Sequence, residues 1–100
     1  MMKSISTDEL QGKLAAGQKV QLIDVREDDE VAAGMVPGAK HIALGTLPDR
    51  LSEVDSSQEV HVICRSGKRS AKACEILESG GIEAINVDGG MLSWKGETHA

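Results

Sequence analysis

The segment from Val60 to Val87 limits what this chain can fold into more than any other. Val60-His61-Val62-Ile63 is a short run rich in branched side chains, and it leads through Cys64-Arg65-Ser66-Gly67-Lys68-Arg69 into Ser70 to Ser79, whose apolar positions have helical spacing. Gly80-Gly81 stops that helix, and Ile82, Ala84, Ile85 and Val87 make a second strand. A strand, a helix and a strand within this length form a parallel crossover unit. The spacing therefore predicts an α/β fold with a mainly parallel central sheet flanked by helices on both faces.

The remaining segments extend this pattern. Ser6 and Glu9 stand at capping-box spacing ahead of Leu10 and Leu14, which predicts a helix over about Thr7 to Ala16. Val20, Leu22, Ile23 and Val25 suit a strand buried on both faces. Glu27-Asp28-Asp29-Glu30 reads as the solvated acidic start of a helix that continues through Val31-Ala32-Ala33, because carboxylates favour the amino end of a helix dipole. A turn over Gly34 to Ala39 leads to a short extended segment at His41 to Leu44, and Leu47, Leu51 and Val54 suggest a brief helix. Glu97 to Ala100 is expected to be a loose tail.

With 100 residues, 40% hydrophobic content, one Trp and neither Phe nor Tyr, the chain supports one modest aliphatic core. A single domain over 1–100, with its core about 5–96, is expected. The net charge of −5 gives no general attraction for nucleic acid or an anionic membrane, so neither is expected as a partner. No apolar run approaches the roughly 20 residues that span a bilayer, and Met1-Met2-Lys3 leads into polar residues, so a cytoplasmic location is expected. Cys64 and Cys74 lack the paired spacings of a zinc site or a dithiol redox motif. With no metal-ligand cluster and no nucleotide-binding loop, activity is expected to need no metal and no cofactor.

In a parallel sheet, ligands bind beyond the carboxyl ends of the strands, and Cys64 falls at such an end. Free N–H groups of a loop entering a helix point toward an anion, and a thiolate is an anion. Arg65, Lys68, Arg69 and Lys72 add four cations to an otherwise acidic chain. In such a setting a cysteine pKa falls from about 8.5 toward roughly 4–7, which yields a nucleophilic thiolate. Gly67 permits the torsions by which several N–H groups converge above the sulfur, and Arg65, Lys68 and Arg69 would hold an incoming oxyanion. The rival reading makes Cys64 a buried strand-end residue and the cations solvated charges. Cations at a helix amino end oppose the dipole, however, and cost stability unless an anion compensates.

Cys74 shares a helical face with Ala71 and Leu77 and is read as inert packing rather than as a resolving cysteine. His61 lies three residues before Cys64, so strand alternation aims the two side chains at opposite faces and disfavours a His–Cys pair. His41 and His99 are read as structural or surface residues.

Four stretches, in this order and spacing, carry a resemblance over nearly the whole chain. They are Leu22-Ile23-Asp24-Val25-Arg26-Glu27, Gly34-Met35-Val36-Pro37-Gly38-Ala39, the loop Cys64 to Ser70 with its helix, and Val87-Asp88-Gly89-Gly90-Met91 with Trp94. Together they make the sequence resemble a single-domain rhodanese. The resemblance implies a sulfurtransferase in which Cys64 takes the outer sulfur of a small anionic donor such as thiosulfate, releases sulfite, and passes the sulfur from a persulfide to a thiol, cyanide or a protein thiol. It further implies that the loop residues Arg65, Ser66, Gly67, Lys68 and Arg69 bind the substrate, that Asp24 and Arg26 support the region, and that Trp94 and Gly89-Gly90 close the domain. Met35-Val36 stands where relatives commonly carry His-Ile.

Other functions fit the same residues. A persulfide relay to a protein partner is chemically equivalent at Cys64. Phosphatases and arsenate reductases of the same fold have one more residue between the cysteine and its arginine, whereas Cys64 and Arg69 enclose four. A non-catalytic binding module is the third alternative.

Overall fold

The computed structural model describes residues 3–99. Met1, Met2 and Ala100, which enter the expected domain span, amino-terminal reading and tail, lie outside the described residues. Five strands form one sheet: β1 (Lys3–Ser6), β2 (Leu22–Asp24), β3 (Lys40–His41), β4 (Val60–Ile63) and β5 (Ala84–Asp88). Their spatial order is β1-β5-β4-β2-β3, and every neighbouring pair is parallel.

Among the described residues, α1 (Thr7–Ala15), α2 (Asp28–Ala32) and α3 (Lys68–Ser79) connect strands, and α4 (Gly90–Ser93) follows β5. The expected capping box at α1 forms, with the Ser6 Oγ accepting the Glu9 N–H at 3.0 Å. Such a cap is worth about 1 kcal/mol. The brief helix expected around Leu47 to Val54 is instead two 3-10 segments, Leu44–Asp49 and Leu51–Glu53, the first with Pro48 inside it. Proline removes a backbone donor and disfavours α geometry just before it.

Strand alternation divides the core. Ile23, Val60, Val62 and Cys64 point to one face, where they pack with Leu47, Ala73, Cys74 and Leu77. Leu22, Ile63 and Val87 point to the other, against Leu10 of α1 and Val36, with Met91 and Trp94 at the margin. The sheet is therefore covered on both sides, as a parallel sheet must be.

Two further elements depart from the expected pattern. β1 pairs with β5 from Lys3↔Ile85 to Ser6↔Asp88, although its sequence offers only Ile5 as an apolar residue. It is an exposed edge strand, so no run of apolar residues marks it. The tail is also tied down: Met35 and His99 exchange both backbone hydrogen bonds, each 2.8 Å. Among the described residues, no helix is long and apolar enough to cross a membrane.

Candidate active site

Three strands of the parallel sheet deliver their carboxyl ends to one edge: β2 brings Asp24 to Arg26, β4 brings Cys64, and β5 brings Asp88 to Gly90. Cys64 is 1% exposed and lies at the floor of the loop that opens α3, while Arg65, Ser66 and Lys68 are exposed on its rim. Gly67 has φ of +103°, a conformation that side chains resist, and this turns its N–H onto the Cys64 Sγ at 3.0 Å.

Beneath the loop lies a buried polar network. Ser70 Oγ stands 3.2 Å from the Cys64 Sγ and donates to Asn86 Oδ1, while Asn86 Nδ2 donates to the Gly67 carbonyl at 3.3 Å. A hydroxyl has one proton. While Ser70 gives it to Asn86, the Cys64 S–H donates to Ser70; when the thiol ionises, the Ser70 proton can turn to the sulfur. Burial pushes the Cys64 thiol up, yet hydrogen bonds from Ser70, Gly67 and Ser66 outweigh it and hold its pKa below the ordinary thiol value. The largest lowering effects are thus hydrogen bonds, not the cations to which the sequence pointed. Arg65 and Lys68 reach into water, where charge is screened.

Arg69 has a partner of its own. Its Nη1 and Nη2 donate to the two carboxylate oxygens of Glu30, at 2.5 and 2.7 Å. The acidic start of α2 is therefore not simply solvated: Glu30 reaches across to the loop and supplies the anion that the α3 amino end needs to offset its cation. Behind it, Arg26 binds the buried Asp24 carboxylate through Nε and Nη2 and donates to the Gly34 and Glu30 carbonyls at 2.8 and 3.4 Å. Asp24 and Arg26 thus brace α2 and the following turn, in keeping with the supporting role implied for them.

The second wall comes from α4. Met91 N–H donates to the Cys64 carbonyl at 2.8 Å and Leu92 N–H to the Arg65 carbonyl at 3.0 Å. Gly90, at φ +55°, lies so close to the Cys64 and Arg65 backbone that a Cβ would collide with both. Ser70, Asn86 and Gly90 bear on the site without having been singled out as its residues. A polar residue at the first turn of a helix and another inside an apolar strand were the available signals.

The remaining candidates fall elsewhere. Cys74 is fully buried and desolvation pushes its pKa up to about 12. His61 faces the opposite side of the sheet from Cys64, with its Nε2 at 3.4 Å from Lys13 Nζ, and His41 Nε2 meets the Arg26 carbonyl at 2.7 Å. A cleft of about 460 Å³ beside Gln11, Leu14, Pro37 and Trp94 contains none of the loop residues. The loop's chemistry depends on converging donors rather than on volume. Among the described residues, no group of three or more His, Cys, Asp or Glu could hold a metal ion.

Comparison with known proteins agrees with this architecture. A model of the rhodanese-like domain matches residues 6–97. The chain is 47% identical over 97 residues to a Bacillus subtilis protein named "Putative sulfurtransferase YtwF", covering 97% of this chain and 94% of that one. It is 35% identical over 95 residues to a protein of Allochromatium vinosum named "Sulfurtransferase", covering 94% and 89% of the two chains. Among solved structures, a rhodanese-like domain protein from Staphylococcus aureus superposes with a TM-score of 0.93 at 46% identity, covering 98% of this chain and 97% of that one.

Proposed function

The chain belongs to the rhodanese-like domain family, and from that premise we propose that it is a single-domain sulfurtransferase that carries sulfane sulfur as a persulfide on Cys64. The observation that carries the proposal is the Cys64 sulfur itself. It is buried, approached by the Gly67 N–H and the Ser70 hydroxyl, and held below its ordinary pKa by hydrogen bonds.

In the first half-reaction the Cys64 thiolate attacks the outer sulfur of thiosulfate or a similar donor. A new S–S bond forms on Cys64, the donor's S–S bond breaks, and sulfite leaves with the bonding electron pair. The loop N–H groups then face the outer sulfur, which carries the charge of the persulfide anion. In the second half-reaction an acceptor thiolate or cyanide attacks that outer sulfur and Cys64 leaves as thiolate. The acceptor becomes a persulfide or thiocyanate, and no electron donor or cofactor enters the balance. Ser66 and Gly67 supply backbone donors, and Arg65 and Lys68, exposed on the rim, supply positive charge around an anionic donor.

A steady-state assay of thiocyanate formation from thiosulfate and cyanide tests this reading. Parallel-line kinetics and complete loss in Cys64→Ser are the expected outcome. Turnover that persists in Cys64→Ser would refute the role of Cys64.

A further inference from the structure

Arg69 reaches the loop already paired. The two nitrogens of its guanidinium meet the two oxygens of Glu30, and both side chains are largely covered, at 33% and 25% exposure. Edge-to-edge pairing of this kind occupies two of the five guanidinium donors and offsets its charge.

The carboxylate is fixed from behind. Glu30 Oε1 also accepts the Glu27 N–H at 3.0 Å, the Glu30 carbonyl accepts from Arg26 Nη1, and Arg26 is locked to the buried Asp24. With Arg69 beside it, Glu30 is held down to about 2 and stays charged at neutral pH. The pKa of Arg69 is raised, first by its hydrogen bonds to Glu30, with Cys64 and Glu27 adding to the rise. Arg69 sits in the first turn of α3, directly before Ser70, whose hydroxyl stands 3.2 Å from the Cys64 sulfur, so the guanidinium borders the loop while its charge is offset by Glu30.

This matters differently for different donors. Attack on thiosulfate expels sulfite, which departs with two negative charges and gains most from a free cation. Attack on the outer sulfur of a thiol persulfide, R–S–S–H, breaks the S–S bond and expels a thiolate with one negative charge at the reacting end, any charges on R lying away from the sulfur, while the proton stays on the transferred sulfur. Resting on the sulfurtransferase reading above, we propose that Glu30 is a specificity-determining residue: it holds Arg69 back from the donor and so favours thiol persulfides over thiosulfate.

The test is the rate of sulfur uptake by the reduced protein, followed by rapid quenching and intact mass, with thiosulfate and with glutathione persulfide as donors. Glu30→Gln, whose amide can still accept the Glu27 N–H, is expected to raise uptake from thiosulfate by about tenfold and from glutathione persulfide by less than about threefold. Adding Arg69→Ala to Glu30→Gln should abolish that gain. Glu30→Asp, one methylene shorter, should show a smaller gain in the same direction, which keeps the proposal testable if Glu30→Gln folds poorly. Equal changes with both donors, or a gain that survives Arg69→Ala, would overturn it. Wild-type protein that takes sulfur from neither donor would instead bring down the sulfurtransferase reading, and this inference with it.

Discussion

Gly90 packs on the carbonyl group of Cys64 with no room for a side chain between them, and the next residue, Met91, donates its N–H to that same carbonyl. The amino end of α4 therefore sets the backbone from which the Cys64 side chain projects. Gly90→Ala must pay the left-handed backbone cost of about 1–2 kcal/mol and also push α4 off the loop. The melting temperature is expected to fall by roughly 5–15 °C, with a slower uptake of sulfur at temperatures where the variant is still folded. A melting curve equal to wild type would show that loop and helix are not coupled in this way.

Much of this fold was legible in the sequence because its signals are local. The run Val60–Ile63, the helix ending at Ser79 and the strand ending at Asp88 lie where spacing and glycines placed them, give or take two residues. The Ser6 and Glu9 capping box is likewise a three-residue relation. What escaped the reading depends on partners distant in the chain. β1 is defined by pairing with β5, the tail by pairing of His99 with Met35, and Arg69 by Glu30, thirty-nine positions away. Cys64 itself stood out because a nucleophile at a strand end before a glycine loop is a local pattern. The Ser70 and Asn86 network under it was hidden, since neither residue type declares its partner.

Ser70 supplies the hydroxyl nearest the sulfur. Removing it in Ser70→Ala should raise the pH midpoint of Cys64 alkylation by about 1 pH unit or somewhat more, as expected for loss of a hydrogen bond to a charged group. Alkylation rates across a pH series, with Cys74 replaced by Ala to remove the second thiol, provide the measurement. An unshifted midpoint would mean that the backbone donors alone stabilise the thiolate.

The Glu30 and Arg69 pair has a pH signature in stability. Glu30 titrates at about 2 in the folded chain against an ordinary 4.5, so the folded state binds fewer protons than the unfolded one in that window. The contribution is fully present above pH 4.5 and disappears as pH falls toward 2. Denaturant unfolding of wild type and Glu30→Gln at a series of pH values should show a wild-type advantage of about 1 kcal/mol near neutrality, modest because both side chains are partly solvated, that vanishes in acid. A difference independent of pH would assign the effect to packing instead.

Cys74 lies on the buried face of α3 and is pushed up to about 12 by burial. In native protein it should resist alkylation at neutral pH, and Cys74→Ala should keep sulfur uptake within about twofold while costing on the order of 1 kcal/mol for the small cavity. Peptide mapping after labelling distinguishes the two cysteines. Uptake that collapsed in Cys74→Ala would give this residue a part in the chemistry.

Whether Cys64 carries the transferred sulfur is decided by the intact mass of the reduced protein after exposure to thiosulfate or glutathione persulfide. A gain of about 32 Da, one sulfur atom, located to Cys64, absent in Cys64→Ser and reversed by cyanide or a thiol, is expected for a persulfide at this residue. No gain from either donor, or a gain that survives in Cys64→Ser, would contradict it.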